Sequence, residues 1–196
     1  FATKTNRVVW SFGSHEEKLI RCTTELIERV FGYKAVPHYT HETATTVQID
    51  SLLVSIIFRE IFGAGANSHT KRIPPIVWNI SPELRERYLV AYMAGDGYPS
   101  AMFTDHCIAG TAPSSESRDK FTAVSVSKEL ISDLSYLLFT LGKTFSVGAM
   151  RGKANRKITV TYRGRVRGAT LPATHSQRLD FYWNTNSSYL TRLPTS

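Results

Sequence analysis

At 196 residues and 22.0 kDa the chain has the size of one large domain or two small ones, and a 42% hydrophobic share is enough for a sizeable core. Its 24 Lys and Arg against 16 Asp and Glu leave a formal charge of +8 and a pI near 9.6, which favours a polyanionic partner, either nucleic acid or an anionic membrane surface. No run approaches the roughly 18 uninterrupted apolar residues of a membrane span, no charged-then-apolar leader is seen, and Cys22 and Cys107 lack the spacing of a disulfide framework or a zinc knuckle. A soluble protein of a reducing compartment is expected, intracellular in the cytoplasm or nucleoid.

The charge is uneven. From Arg151 onward nine basic residues face one acid, whereas residues 1 to 150 balance 15 basic against 15 acidic residues. In chain order, Val8, Trp10 and Phe12 alternate with Val9 and Ser11 as in a half-buried strand. Ser14 with Glu17 reads as a capping box, and Leu19, Ile20, Thr23, Leu26, Ile27, Val30 and Phe31 then fall on one helical face that Gly32 closes. Val47 and Ile49 alternate in a hairpin-like polar stretch, a second helix runs from Ser51 to Phe62, and AGANSHTKRIPP is a connector. Ser81 and Pro82 start the helix SPELRERYLVAYMAGDG. There follow a strand around Ala101 to Thr104, a polar loop GTAPSSESRDK, a strand at Phe121 to Val126, and a helix from Ser127 to Leu141 ended by Gly142.

One design therefore occurs twice: strand, serine cap, amphipathic helix, glycine stop, strand. In the second copy a helix ending in Gly95-Asp96-Gly97 precedes the strand. The first copy starts where that helix would have just ended, so the chain is expected to be a piece of something longer or a processed product.

In the helix from Ser81 to Gly97, Leu84, Tyr88, Ala91 and Gly95 form a stripe whose small residues let another helix approach closely. A carboxylate at the tip of such a helix pair would face its counterpart, and two such groups can share a hard divalent cation. YLVAYMAGDG (Tyr88 to Gly97) resembles the motif of the LAGLIDADG homing endonucleases. Lys71-Arg72-Ile73-Pro74 resembles the Lys-x-Ile-Pro signature of the endonuclease domains of inteins, with Lys71 25 residues before Asp96.

The resemblance implies an α+β fold of two pseudo-symmetric tandem αββαββα repeats, with saddle-shaped antiparallel sheets lying along double-stranded DNA. Residues 1–78 would be the first repeat, lacking its motif helix, with the connector; residues 79–196 would be the second, with the basic C-terminal part. It implies that Asp96 is a catalytic ligand of Mg2+ with the Gly95 carbonyl beside it, and that Lys71 orients or activates the attacking water. Shared metal ions suit phosphodiester hydrolysis, because they neutralise the charge of the transition state and the leaving oxygen. The family needs two motif helices and two acids, and this sequence has one of each. The missing pair is expected directly before Phe1 or on a second chain, and a flanking intein splicing domain is a further expected partner; without the missing acid the chain alone would be inactive.

In KITVTYRGRVR, Lys157, Thr159, Thr161, Arg163, Arg165 and Arg167 take one parity and Ile158, Val160, Tyr162 and Val166 the other, as in a strand with a basic exposed face. Arginines at that spacing can fork onto guanine edges or contact phosphates, or alternatively protect a sheet edge. Arg118 and Lys120 after the motif strand, and Lys4 and Arg7 at the corresponding place in the first copy, are further DNA-contact candidates. His38, His41 and Asp105-His106-Cys107 contain metal-ligand types but no second cluster completes a set of four. The sequence thus points to a metal-dependent DNA endonuclease. The alternative is a non-catalytic nucleic-acid-binding protein on the same fold, an RNA maturase or a DNA-binding regulator.

Overall fold

The computed structural model describes residues 6–41, 43–63, 65, 67–113, 120–152, 156–162, 165–171 and 175–183, with the backbone alone for 156–162 and 165–171. β1 (Arg7–Gly13) leads into α1 (Glu17–Phe31), followed by β2 (Pro37–His41), β3 (Ala44–Asp50) and α2 (Leu52–Ile56). One π-helical turn, Ile57–Ile61, continues α2, and a 3-10 turn, Pro75–Asn79, introduces α3 (Pro82–Asp96). Then come β4 (Gly97–Tyr98), α4 (Ser100–Ala109), β5 (Lys120–Ser125), α5 (Lys128–Thr140), β6 (Phe145–Arg151), β7 (Arg156–Tyr162), β8 (Arg165–Leu171) and β9 (His175–Tyr182). Among the described residues the architecture is α+β, and no helix is long and apolar enough to cross a membrane.

The two larger sheets are antiparallel and share a strand order. In the first, β3 lies between β1 and β2; in the second, β9 lies between β5 and β6, with β4 added outside β5. In both, a strand runs into an amphipathic helix, and the sheet's central strand is the last to arrive. Among the described residues β7 and β8 pair only with each other, and they fall between β6 and β9, where the first sheet has residues 42 and 43 alone.

Each sheet buries one face. Val8, Val47 and Ile49 of the first pack with Ile20 and Ile27 of α1 and Val54 of α2. Phe121, Ala123, Leu179 and Phe181 of the second pack with Leu89, Val90 and Met93 of α3, Phe103 of α4 and Leu130, Ile131, Leu134, Leu137 and Leu138 of α5. Burying side chains of this size is worth about 1.5–3 kcal/mol each. Leu19 joins the second cluster, and Lys18 of α1 pairs with Asp105 of α4 at 2.7 Å, so α1 also packs toward the second sheet's helices.

Four sequence expectations are corrected. Residues 101–104 belong to α4, not to a strand: Phe103 is fully buried against Phe121 and Trp183, with ring centroids 4.7 and 5.3 Å away. The N-cap position of α1 is Glu16, two residues after Ser14, and the Glu16 carboxylate accepts the Gly13 N–H at 2.6 Å. Lys120 opens β5 rather than lying in the preceding loop. Residues 157–167 are parts of two strands, because 163 and 164 separate β7 from β8. Directly paired residues share a face, and Val160 pairs with Arg167, Tyr162 with Arg165 and Lys157 with Thr170. Arg165 and Arg167 therefore take the register of Val160 and Tyr162, opposite in parity to Lys157.

Candidate active site

Ser81 caps α3 by accepting the Leu84 N–H, Pro82 occupies its first turn, and the helix runs to Asp96. Leu89, Val90, Met93 and Ala94 bury one side, while Leu84, Ala91, Gly95 and Asp96 are exposed on the other. At the end the Gly97 N–H bonds back to the Met93 carbonyl so tightly that a Cβ on Gly97 would stand 2.6 Å from that oxygen. The turn thus needs a glycine beside Asp96. The next carbonyl back, that of Gly95, has Pro99 four residues on, which carries no N–H to complete a helical bond.

Lys71 reaches this tip. Its Nζ lies 3.0 Å from Asp96 Oδ2, and both side chains are about half exposed. The lysine has no secondary structure under it, yet its backbone is fixed. Ser127, fully buried at the N-cap of α5, donates its hydroxyl to the Lys71 carbonyl at 2.8 Å and accepts the Leu130 N–H at 3.1 Å. Asp133, one and a half turns into α5, accepts Arg72 Nε at 3.1 Å, Arg72 Nη2 at 3.0 Å and the Ile73 N–H at 3.1 Å. Ile73 beyond it is buried. Below Asp96, burial raises the hydroxyl pKa of Tyr88 and Tyr92, and the carboxylates of Asp133 and Asp96 push in the same direction, so both phenols stay protonated.

The donors at the tip of α3 are oxygens, the type that magnesium takes. Among the described residues no three His, Cys, Asp or Glu side chains gather as a metal cage. Magnesium typically takes one or two carboxylates and completes its shell with water and phosphate oxygens. The half-exposed Asp96 carboxylate and the Gly95 carbonyl are oxygen donors of that kind, and they fit an ion completed by a phosphodiester.

The remaining candidates fall elsewhere. Arg7 pairs with Asp50, its register partner on β3. Lys120 lies 2.8 Å from Asp180, which also accepts Thr122 at 2.6 Å and Arg178 at 2.8 Å on the second sheet's outer face. Burial would raise the Asp180 carboxyl, but these three donors hold it down at about 2. Lys157, Arg165 and Arg167 are placed by backbone register in β7 and β8; Arg163, Arg118 and Lys4 lie outside the described residues. Sequence reading missed Asp133, whose one signal was an acid set among the apolar positions Leu130, Ile131 and Leu134 of its helix. Trp183 is buried under the Lys143 ammonium, 4.1 Å from the ring centroid.

No protein-family model matches the chain. Two curated proteins are similar to it. The DNA polymerase II large subunit of Thermococcus kodakarensis is 30% identical over 131 residues, 63% of this chain and 6% of that protein. An uncharacterized protein of Methanocaldococcus jannaschii is 25% identical over 163 residues, 83% of this chain and 16% of that protein. The chain thus spans only a small part of either relative.

Proposed function

We propose that this chain is the DNA-cleaving part of a LAGLIDADG homing endonuclease of intein type, hydrolysing phosphodiester bonds at a long asymmetric site in double-stranded DNA. The observation that carries the reading is the ammonium of Lys71 set 3.0 Å from the carboxylate of Asp96 at the glycine-bounded tip of α3, 25 residues apart in sequence. Support comes also from the strand order shared by the two sheets and from a relative of which the chain matches only 6%, the proportion expected of a unit carried inside a larger host.

In this reading the Asp96 carboxylate and the Gly95 carbonyl hold magnesium, which supplies charge neutralisation at the scissile phosphate. Lys71 holds the attacking water and offers positive charge to the phosphate as its negative charge grows. The reading requires a second acid, carried on a second motif helix. The balanced charge of residues 1–150 then serves as scaffold, and the basic stretch around β7 and β8 as the DNA-reading part.

The rival reading, a nucleic-acid binder without cleavage, is favoured by the same ion pair, since Lys71 and Asp96 neutralise each other and leave one carboxylate at the tip. The test uses the full-length polypeptide containing this chain, Mg2+ and a library of duplex DNA, with cut ends sequenced. A single recovered site, cut in both strands and lost in Asp96→Asn while binding persists, supports the endonuclease. Cleavage at the normal rate by Asp96→Asn disproves the assigned role, and binding with no cleavage by the wild type supports the rival.

A further inference from the structure

A lysine ammonium sits on a flexible four-carbon stem, so its position is only as good as the backbone that carries it. Residues 71–74 contribute no helix or strand, and the connector before them is long. What fixes them is α5. Ser127 ties down the Lys71 carbonyl, and the Asp133 carboxylate, 12% exposed, spends its acceptors on three donors of the next two residues. The fork onto Arg72 is bidentate and charge-assisted, a geometry that sets orientation as well as distance. The helix beneath is locked by Leu130, Ile131 and Leu134, buried in the cluster that also holds Leu89, Val90 and Met93 of α3. Lys71 and Asp96 are therefore both referenced to the same packed pair of helices.

The geometry points to Asp133 as a positioning residue for Lys71, one that registers the ammonium against the Asp96 carboxylate through Arg72 and the Ile73 N–H. An ordinary surface ion pair contributes little and would need neither the backbone acceptor role nor the burial. The inference rests on the reading of Lys71 and Asp96 as the cleavage centre.

The experiment has two arms on the full-length polypeptide. In the kinetic arm, Asp133→Ala lowers kcat for DNA cleavage roughly 10- to 100-fold, the scale of an angstrom of misplacement, and leaves KM within about twofold. Asp133→Asn, which keeps an acceptor for the Ile73 N–H, recovers much of the loss. In a Lys71→Ala background Asp133→Ala costs nothing further; a full additional loss there would overturn the positioning role. The second arm needs no cleavage. The NMR signal of the Lys71 side chain shifts on Asp96→Asn, and this response disappears once Asp133→Ala is present in a protein still showing cooperative unfolding. A response that survives Asp133→Ala overturns the inference. Should Asp96→Asn leave cleavage intact, the cleavage-centre reading fails, and the NMR arm still decides whether Asp133 places Lys71.

Discussion

Asp96 stands between two glycines that ought to respond in opposite directions to the same added methyl group. At Gly97 an ideal Cβ would lie 2.4 Å from Met93 Cε, 2.6 Å from Met93 O and 2.8 Å from Met93 Cα. Met93 is fully buried, and two of those atoms are backbone, so neither side can yield cheaply. Relief requires opening the end of α3, at a cost of about 1–3 kcal/mol typical of overpacking. At Gly95, the last residue but one of the helix and exposed, an added Cβ meets nothing within 4 Å beyond the helix's own backbone. Gly95→Ala should gain about 0.5–1 kcal/mol from the helix propensity of alanine. For a chain of this length each kcal/mol moves Tm by roughly 2–4 °C, so the two variants should separate clearly in thermal or urea unfolding. A neutral Gly97→Ala, or a destabilising Gly95→Ala in this chain by itself, would refute the reasoning. A gain at Gly95 that turns into a loss when the preceding segment is present would show a second helix seated on the Ala91 and Gly95 stripe.

Ser127→Ala removes a helix cap and the donor to the Lys71 carbonyl at once; it should cost about 1–3 kcal/mol in urea unfolding, and a loss below measurement would mean that water replaces both bonds. The folded Asp180 carboxyl, held at about 2 against an ordinary 3.8, contributes stability above the ordinary value that is lost as pH falls toward 2. Asp180→Asn should accordingly cost about 1–2 kcal/mol near neutral pH, with the gap to wild type closing between about pH 4 and 2; a gap constant in pH would exclude the linkage. Replacing Arg163, Arg165 and Arg167 together by Gln should reduce the slope of log K against log salt for DNA binding by about 0.9 for every phosphate contact removed. An unchanged slope would return these arginines to protecting the hairpin's edges.

The long helices were legible because their signals are local. The 3.6-residue period of α1 and α5, the Ser81-Pro82 start of α3 and the serine at 127 are read within a few residues of where they act. The start of α1 lies two positions beyond the expected Ser14, and the Glu16 carboxylate turns back to the Gly13 N–H, a local detail that the motif alone does not decide. Helix α4 was hidden because Phe103 and its neighbours suit a strand in isolation, whereas the ring cluster of Phe103, Phe121 and Trp183 joins residues up to 80 positions apart. The hairpin of β7 and β8 carried its signal in Gly164, outweighed by parity that ran through it. At the site, Lys71 and Asp96 were legible through a resemblance, while Asp133 became visible only when the fold brought it to Arg72, 61 residues earlier.

The excursion between β6 and β9 has a consequence for how such a molecule can change. Its 23 residues, 152–174, leave and re-enter at the end of a sheet whose strand order is that of its shorter counterpart, and they carry six basic residues and no acid. Most of the chain's net charge is therefore carried by one insertion between two neighbouring strands of a sheet. Such an insertion can be lengthened, recharged or cut back to a tight turn while β6 and β9 keep their register, so the charge of the molecule and the sheet that carries its core can evolve on separate schedules.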